Sequence, residues 1–440
     1  MQHKNSVPRK RYMIVVTLFF SLAVAYMGRV IVSVLAANEG FLHDMGIAGQ
    51  PVKVGLLMTA FLIAYGLSNF VLSPLGNKWG PRKGILIAMI LCGISMILGG
   101  VATVLGFVIV SRILLGISNG LHYPLQNVFV KNWFPSNERG RANSVWVIGQ
   151  SVAPAIAMPL FTYIIGAFGW RYGFITSAVL CLIPVFLLLK YTADTPEKYK
   201  NIERKELDYI NGFDINVSAG KIDTVAEKTD RKLWDKIKLF ARDYRYWLLV
   251  TGYWLLVTGY WLLVYWYMSM TFVFWGLISW LPAYLKASRG FSWVEMGWLS
   301  SLPFILSIML KGLGGWAVDK TGRYAPFLVL ALLAGGIGIY LSTIIDNKYI
   351  AAVLLALSFG IANMGTAPAW TLLQKIINTD SLAIAGGTMN GISNTVSALS
   401  PLIIGLSISI TGKYESGLYV LVGAAIIASF VAMILVSRKL

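Results

Sequence analysis

The sequence predicts an all-α membrane protein in which twelve transmembrane helices form two pseudo-symmetric six-helix bundles. Composition is the first observation: of the 440 residues, 57% are hydrophobic and 13% are charged, and the mean hydropathy is +0.69. Soluble domains carry about 25% charged residues, so this chain has too few charges to cover a water-exposed surface. The other two observations are the length of its apolar blocks and one polar segment that divides them into equal groups.

Twelve apolar blocks are long enough to cross a bilayer, because about 20 helical residues span the hydrocarbon and a helix satisfies its own backbone groups there. We number these predicted spans one to twelve, and they cover residues 12–37, 54–75, 84–103, 105–129, 143–166, 173–190, 260–285, 296–316, 326–345, 349–374, 383–410 and 416–436. The first block is too long for a cleavable signal peptide, and no small-residue cleavage pattern follows it.

A polar segment of mixed charge, residues 192–245, lies between the sixth and seventh spans. We therefore predict an N-terminal six-helix bundle at residues 1–191, a cytoplasmic central loop at 192–245 and a C-terminal six-helix bundle at 246–440. Two equal halves joined by a charged loop are typical of transporters that are built from internal repeats.

The net charge of +18 would suit a nucleic-acid-binding protein, but its distribution indicates membrane topology instead. Basic residues concentrate in the loops on one side, among them Lys10 and Arg11 before span one and Lys83 before span three. Cytoplasmic loops carry such an excess of Lys and Arg, so we predict that both termini are cytoplasmic and that the chain lies in the cell's inner membrane. The basic loops then contact anionic lipid, and no nucleic-acid partner is expected.

Two loops at equivalent places in the two halves repeat one pattern, a glycine turn beside basic residues. Residues 76–83 read GNKWGPRK between spans two and three, and residues 316–323 read WAVDKTGR between spans eight and nine. The pattern resembles the loop motif of the major facilitator superfamily, G-x-x-x-D-[RK]-x-G-[RK]-[RK]. The resemblance implies a gating motif at Asn77, Arg82, Asp319 and Arg323, in which Asn77 replaces the family's aspartate and removes one charge of the gating pair.

A narrower resemblance covers nearly the whole chain. The motifs that carry it are Arg112-x3-Gly116-x7-Pro124, Trp133-Phe134-Pro135-x2-Glu138-Arg139, Gly149-Gln150, Gly169-Trp170-Arg171 and Trp280-Leu281-Pro282-x-Tyr284-Leu285. Together they are similar to the anion:cation symporter family, whose members carry sugar acids, hexuronates, aromatic acids and sialic acid. The resemblance implies the same twelve-helix fold and an organic-anion substrate.

Arg29 lies well inside span one, too deep for its head to reach water easily. A charge within the membrane is costly and indicates a functional site by default, and a guanidinium binds a carboxylate through two parallel hydrogen bonds. We therefore predict that Arg29 anchors a substrate anion. The alternative is an ion pair or carbonyl cap that holds helices together. The family resemblance also implies that an arginine at this place belongs to the central site.

Two other basic residues within spans have weaker cases. Arg112 opens span four, where its head is expected to reach water and its role to be structural. Lys311 lies late in span eight, and we expect its long side chain to extend to the cytoplasmic face.

The acids that couple transport to protons in the resembling family are missing here. Gly28 and Asn119 stand at their positions, and neither side chain can titrate. His122 follows Asn119 by about one turn on the same face of span four, so it is the candidate coupling residue. The alternative is an interior structural histidine, and sodium coupling, exchange and facilitated diffusion stay open.

Amide and aromatic side chains complete the predicted substrate site, because amides pair with hydroxyl groups and aromatic faces suit sugar rings. These candidates are Tyr65, Asn119, Gln150, Trp370, Asn390 and Asn394. The resemblance implies substrate contacts at Tyr65, Gln150 and Asn390. The alternative for each residue is a hydrogen bond between helices.

A heptad repeat precedes the seventh span. The sequence YWLLVTG at residues 246–252 recurs at 253–259 and begins again at 260–264. A continuous helix over 246–285 would be about 60 Å long, whereas the hydrocarbon core is about 30 Å thick. We interpret the repeat as a recent tandem duplication or an artefact in the sequence; otherwise the surplus must extend beyond the bilayer or lie along its surface.

The sequence favours a secondary active transporter of a small organic anion, such as a hexonate, a hexuronate or a related carboxylate, that works by alternating access as a monomer. Proton or sodium and the lipid bilayer are the other expected partners. No phosphate-binding glycine loop, nucleophile–base pair or metal-ligand cluster stands out, and Cys92 and Cys181 serve as small apolar fillers. We therefore expect no enzymatic activity, cofactor or metal.

Two alternatives stay open. An organophosphate/phosphate exchanger would also use an arginine in span one, but span seven lacks the second central cation that a doubly charged phosphate favours. A transporter-like sensor would use the 192–245 loop to bind a partner.

Overall fold

The computed structural model describes residues 10–72, 80–135, 138–199, 202–210, 254–377 and 379–437. This part of the chain is helical and contains no β strand. The helices of the first half run Arg11–Leu35, Glu39–Asp44, Pro51–Leu72, Pro81–Gly100, Leu105–Gly120, His122–Trp133, Arg139–Phe168, Trp170–Leu180 and Leu182–Tyr191. Those of the second half run Trp254–Ala283, Trp293–Thr321, Ala325–Ile344, Lys348–Met364, Thr366–Ile376, Thr379–Ser397, Ser400–Thr411 and Tyr414–Ser437.

Twelve helical stretches of the described residues are long and apolar enough to cross a membrane, which confirms the predicted number. Spans one to six are Arg11–Leu35, Pro51–Asn69, Pro81–Gly100, Leu105–Trp133, Glu138–Phe168 and Trp170–Tyr191. Spans seven to twelve are Gly259–Ser288, Trp293–Val318, Ala325–Ile344, Lys348–Ile376, Ala385–Thr411 and Tyr414–Ser437. The predicted bounds lie within one or two helical turns of these.

Prolines explain where spans are interrupted. In spans four, six, ten and eleven the first helix ends four residues before a proline: at Gly120, Leu180, Met364 and Ser397, before Pro124, Pro184, Pro368 and Pro401. Proline lacks the backbone N–H and its ring clashes with the carbonyl four residues earlier, so the regular helix stops there. Spans four and ten are equivalent in the two halves, and the shared break supports the predicted pseudo-symmetry.

The two bundles touch at the end remote from Arg11 and Ser437, which we call the far end. The indole N–H of Trp293 in span eight donates to the carbonyl of Thr162 in span five at 2.7 Å. Spans two and eleven approach equally closely, since a methyl group built on Gly55 would lie 2.5 Å from the carbonyl oxygen of Pro401. The halves are therefore closed against each other at the far end.

A short loop at the far end of the first half is held by one carboxylate. The indole N–H of Trp170 donates to Asp44 at 2.9 Å, and Arg171 forms an ion pair with the same oxygen at 3.2 Å. These two donors hold the pKa of Asp44 below its usual value.

The near end, where Arg11 and Ser437 lie, is held by buried ion pairs between the start of span one and residues 138 and 206. Glu206, in the helical segment 204–210, is fully buried and accepts from the backbone N–H groups of Lys10 and Arg11 at 3.2 and 3.0 Å. The Arg11 guanidinium pairs with Glu206 at 3.2 Å and with Glu138 at 2.9 Å. The start of the predicted central loop thus caps span one. Residues 211–245 lie outside the described part, so the domain bounds stay a prediction.

The two cysteines pack against each other. Cys92 in span three and Cys181 in span six are buried, and their sulfur atoms lie 3.6 Å apart. Their thiols fill a gap between two helices of the same half, which agrees with the predicted filler role.

The first copy of the heptad repeat, residues 246–252, lies outside the described residues. The described helix begins at Trp254, inside the second copy, and continues to Ala283 before a π-helical turn at Tyr284–Ser288. Its 30 residues correspond to about 45 Å, longer than the hydrocarbon core. The origin of the repeat stays a prediction.

Candidate functional site

Arg29 is buried in the first half with an unsatisfied guanidinium nitrogen. Its side chain is 2% exposed, and its Nε and Nη2 groups donate to Oδ1 of Asn119 at 3.4 and 3.3 Å. Nη1 is buried and has no hydrogen-bond partner among the described residues, which also offer Arg29 no carboxylate. A buried charge without an anion is costly. The free nitrogen leaves Arg29 able to bind an anionic group.

Aromatic rings surround the Arg29 guanidinium. Its central carbon lies 3.9 Å from the ring centre of Tyr26, 4.5 Å from that of Tyr65 and 5.5 Å from that of Phe61. Ring faces attract a cation and exclude water from it. This cage stabilises the positive charge without neutralising it, so the charge stays available to a ligand.

Arg112 supports the backbone beneath Arg29. Its Nη1 donates to the carbonyl of Gly28 at 3.1 Å and its Nη2 to that of Arg29 at 3.3 Å. The expectation that its head reaches water is wrong, because the side chain is fully buried. The expected structural role agrees with these bonds, which fix the segment of span one that carries Arg29.

Gln150 and Asn119 are the amide side chains that the first half contributes to the candidate site. Asn119 donates to the carbonyl of Leu115 at 2.9 Å, which turns its oxygen toward Arg29. Gln150 in span five accepts a hydrogen bond from the Tyr123 hydroxyl of span four. The side chain of Gln150 is half-buried, so its amide nitrogen remains available to a ligand hydroxyl.

Two of the predicted residues of the second half meet this cluster through aromatic side chains. The Trp275 indole N–H donates to Oδ1 of Asn394 at 3.2 Å, and Asn394 donates to Oδ1 of Asn390 at 3.0 Å. The Trp275 ring centre lies 6.5 Å from that of Phe61, the ring that also contacts Arg29. The structure thus connects Arg29 with Asn390 and Asn394 across the two halves.

Trp370 lies at the edge of the same region. Its ring stands edge-to-face on Tyr267 with centres 5.7 Å apart, and it packs against Gly386 of the helix that also carries Asn390. It is half-buried, so one part of the ring is open to a ligand.

His122 packs against span three within the first half. Its Nδ1 lies 3.3 Å from the carbonyl oxygen of Ser118, and its Nε2 lies 3.2 Å from the sulfur of Met89 in span three. The ring is fully buried between helices of the first half. Both ring nitrogens therefore have partners in the first half, and these contacts favour the predicted alternative of an interior structural histidine.

The four gating residues are not brought together in the part of the chain that the structure describes. Asn77 lies outside that part, the Asp319 side chain is not described, and Arg323 is exposed at the near end. Arg82 caps span six, since its guanidinium donates to the carbonyls at 188 and 189 at 3.2 and 2.8 Å. Its backbone N–H donates to Asp194 at 2.9 Å. The gating role stays a prediction.

A sequence model described as the major facilitator superfamily matches residues 18–405. The chain belongs to this superfamily. Its members are membrane transporters, which confirms the predictions of a multi-pass transporter and of no enzymatic activity.

Curated relatives of this superfamily protein match along most of their length. The probable sulfoacetate transporter SauU of Cupriavidus necator is 27% identical over 418 residues, which cover 92% of this chain and 89% of that one. The probable galactarate/D-glucarate transporter GudP of Bacillus subtilis is 26% identical over 438 residues, 97% and 91% of the two chains. The hexuronate transporter of B. subtilis is 24% identical over 429 residues, 94% and 92% of the two chains.

Solved structures of other superfamily transporters share the fold. A bacterial homolog of the human lysosomal transporter Spinster, in an inward-facing and occupied conformation, has a TM-score of 0.77 at 14% identity and covers 99% of this chain and 98% of its own. The D-xylose–proton symporter has a TM-score of 0.69 at 18% identity, with 96% of each chain covered. The predicted two-bundle architecture is thereby confirmed.

Three aromatic residues of the candidate site, Tyr26, Phe61 and Trp275, were not predicted from the sequence. Tyr26 lies one turn before Arg29, and Phe61 lies one turn before Tyr65, so an aromatic residue at helical spacing from a predicted site residue is the signal that could have found both. Trp275 gave no such signal, because span seven contains many aromatic residues and only the contact with Asn394 distinguishes it.

Proposed function

We propose that this chain transports a small organic anion, a sugar acid or related carboxylate, and that Arg29 binds the carboxylate. The buried, unpartnered Nη1 of Arg29 supports the proposal most directly. One nitrogen of a caged cation lacks an acceptor, and a carboxylate oxygen would supply it. The relatives are named as transporters of sulfoacetate, galactarate, glucarate and hexuronate, which are all organic anions.

The rest of the ligand would lie between the two halves. Gln150, Asn390 and Asn394 offer amide groups that suit hydroxyls, and Tyr65 and Trp370 offer ring faces that suit the carbon chain of a sugar. Since these side chains come from both halves, a bound ligand would draw the bundles together. That is the coupling between binding and movement that alternating access needs.

We further propose that the chain works as a monomer in the cell's inner membrane with both termini in the cytoplasm. The far end would then face the outside, and the closed contact there corresponds to a state accessible from the cytoplasm. The basic residues of the near-end loops support this orientation.

Three coupling modes are to be distinguished by experiment: proton symport, sodium symport and exchange. If protons drive uptake, His122 is the titratable residue of span four that we propose to carry them, and its ring would have to leave Met89 to do so. If exchange is the mode, no carrier residue is needed. Uptake at clamped potential with an imposed proton or sodium gradient distinguishes these modes.

The test of the proposed site is the Arg29→Lys variant, reconstituted in vesicles with labelled sugar acid. Lysine keeps the charge but loses the planar pair of donors, so we expect uptake to fall about tenfold or more. Arg204→Lys, at an exposed position of the 204–210 segment, is the matched control and should retain uptake. Normal uptake by Arg29→Lys would remove Arg29 from the site.

A ligand screen separates the candidate substrate classes. Thermal unfolding in detergent should shift upward with a sugar acid, because a ligand that binds only the folded protein stabilises it. A shift with sugar phosphates instead would favour the organophosphate exchanger. Binding without any flux in vesicles would favour the sensor.

A further inference from the structure

Lys311 faces the interior of the protein and not the lipid. In this stretch of span eight the most exposed apolar side chains are Ile305, Met309, Leu313 and Trp316, between 45% and 62% exposed. At 100° per residue these four lie roughly 120° to 200° around the helix from Lys311. Lys311 is half-buried, and its exposed part therefore opens toward the inside of the bundle. This inward direction differs from the expectation that the Lys311 side chain extends to the cytoplasmic face.

The face of span eight that carries Lys311 is turned toward the other half. Trp293 lies at the same angle around the helix, five turns earlier, and donates to the Thr162 carbonyl of span five. Gly297, one turn further, lies against the Thr162 side chain. Lys311 continues this face toward the near end, beyond the point where the two bundles touch.

Lys311, Ser307 and Ser300 form a polar stripe along one face of span eight. Among the described residues Lys311 has neither an ion pair nor a hydrogen bond. Ser307, one turn before it, and Ser300, two turns before that, are 2% and 0% exposed, and neither hydroxyl has a partner. Buried hydroxyls are normally paired. A cation and two hydroxyls without acceptors on one inward face indicate a place for an anionic ligand.

The stripe lies close in depth to the Arg29 cluster. Lys311 is about 27 Å from Trp293 along its helix, and Tyr65, which contacts Arg29, is about 21 Å from Pro51, both measured from the far end at 1.5 Å per residue. The side chain of a helical residue leans toward the helix N-terminus, which for span eight is the far end. The Cα–Cβ bond of Lys311 therefore leans toward the level of Arg29.

Aromatic rings connect the two places. Neighbouring ring centres 5.3 to 6.5 Å apart lead from the ring over Arg29 to the stripe, in the order Phe61, Trp275, Phe274, Phe359 and Phe304. Phe304 lies between Ser300 and Ser307 on span eight. These packed rings form continuous apolar surroundings between the Arg29 cluster and the stripe.

We propose that Lys311, with Ser307, binds a second anionic group, so that the preferred substrate carries two separated negative charges. The inference rests on the proposed function, because it takes Arg29 as the site of the first carboxylate. A six-carbon diacid carries its two carboxylates at opposite ends of one carbon chain. A monoacid of the same carbon chain leaves Lys311 without an anion. Lys311 then selects for dianions from the second half while Arg29 anchors from the first.

Galactarate and D-galactonate are the matched probes, since they share a carbon skeleton and differ by one carboxylate. Full-length protein is reconstituted in vesicles, and uptake of each labelled acid is measured against its concentration. For Lys311→Gln we expect the KM for galactarate to rise about tenfold, as loss of one ion pair implies, and that for galactonate to change less than about twofold. Lys311→Arg keeps the charge and should restore most galactarate uptake. Lys413→Gln, an exposed lysine at the far end, is the control for removal of a charge.

Each other outcome overturns the inference. An unchanged galactarate KM in Lys311→Gln removes the residue from the site, and equal losses for both acids without rescue by arginine make it structural. A wild type that takes galactonate but not galactarate contradicts the preference for dianions and leaves the proposed function standing. A wild type that takes neither of these two acids also overturns the inference, and the proposed function is overturned as well when no other sugar acid or organic carboxylate is taken up or shifts thermal unfolding.

Discussion

At the scale of single residues, the candidate site depends on a positive charge that is stabilised without being neutralised. Rings at 3.9 and 4.5 Å and one amide oxygen surround the Arg29 guanidinium, and none of them carries a negative charge. A coupling acid at the position of Asn119, as the resembling family has, would form an ion pair with Arg29. An asparagine there leaves the full charge for the ligand.

We expect Asn119→Asp to weaken binding of the substrate anion. The new carboxylate would lie within reach of Nε and Nη2 and pair with Arg29, so a substrate anion would have to displace it. We expect the KM for the transported acid to rise about tenfold, since a buried charge pair competes directly with the ligand. Concentration-dependent uptake in vesicles measures it.

Asn347→Asp is the matched control, because Asn347 caps the helix at Lys348–Met364 far from the site and aspartate caps equally well. If Asn119→Asp leaves the KM unchanged, Asn119 does not control the charge at Arg29.

At the scale of elements, the sequence predicted the spans well because each is a long apolar block bounded by polar residues. Arg29 and Tyr65 could be proposed from depth in a span and from resemblance. Trp275 and the direction of Lys311 could not, because apolar blocks show weak helical periodicity and do not reveal which face meets the other half. Packing between helices determines which face of a span meets the other half. For span eight, the exposed lipid-facing residues revealed that face.

The near-end cap of span one gives a prediction about stability. Arg11→Ala would leave the buried Glu206 carboxylate without its guanidinium, and removal of one partner of a buried pair costs about 3–5 kcal/mol. We expect a clearly lower midpoint of thermal unfolding in detergent. Lys205→Ala, an exposed neighbour of Glu206, should leave the midpoint unchanged.

Adding Glu206→Gln to Arg11→Ala should recover part of the loss, because the orphan charge is then removed. A midpoint that is lowered further by the second change would show that Glu206 does not depend on Arg11.

At the scale of the whole molecule, two bundles closed at the far end must separate there if transport proceeds by alternating access. The contact depends on small residues: a methyl group built on Gly297 would lie 2.5 Å from Oγ1 of Thr162. Spans five and eight therefore approach as closely as this glycine permits.

Gly297→Val should force spans five and eight apart at the far end and lower the population of the closed state. We expect uptake to fall, together with a longer distance between spin labels placed on exposed far-end residues of the two halves. Gly312→Val is the matched control on the same span, since a side chain there meets nothing within 4 Å. Equal behaviour of the two variants would show that the far-end contact does not limit the cycle.

An experimental structure of the protein with a transported sugar acid bound would show directly whether Arg29 binds the carboxylate. We expect a carboxylate oxygen within about 3 Å of Nη1 of Arg29, between the rings of Tyr26 and Tyr65. A ligand bound elsewhere, with Nη1 satisfied by a neighbouring helix, would contradict this expectation.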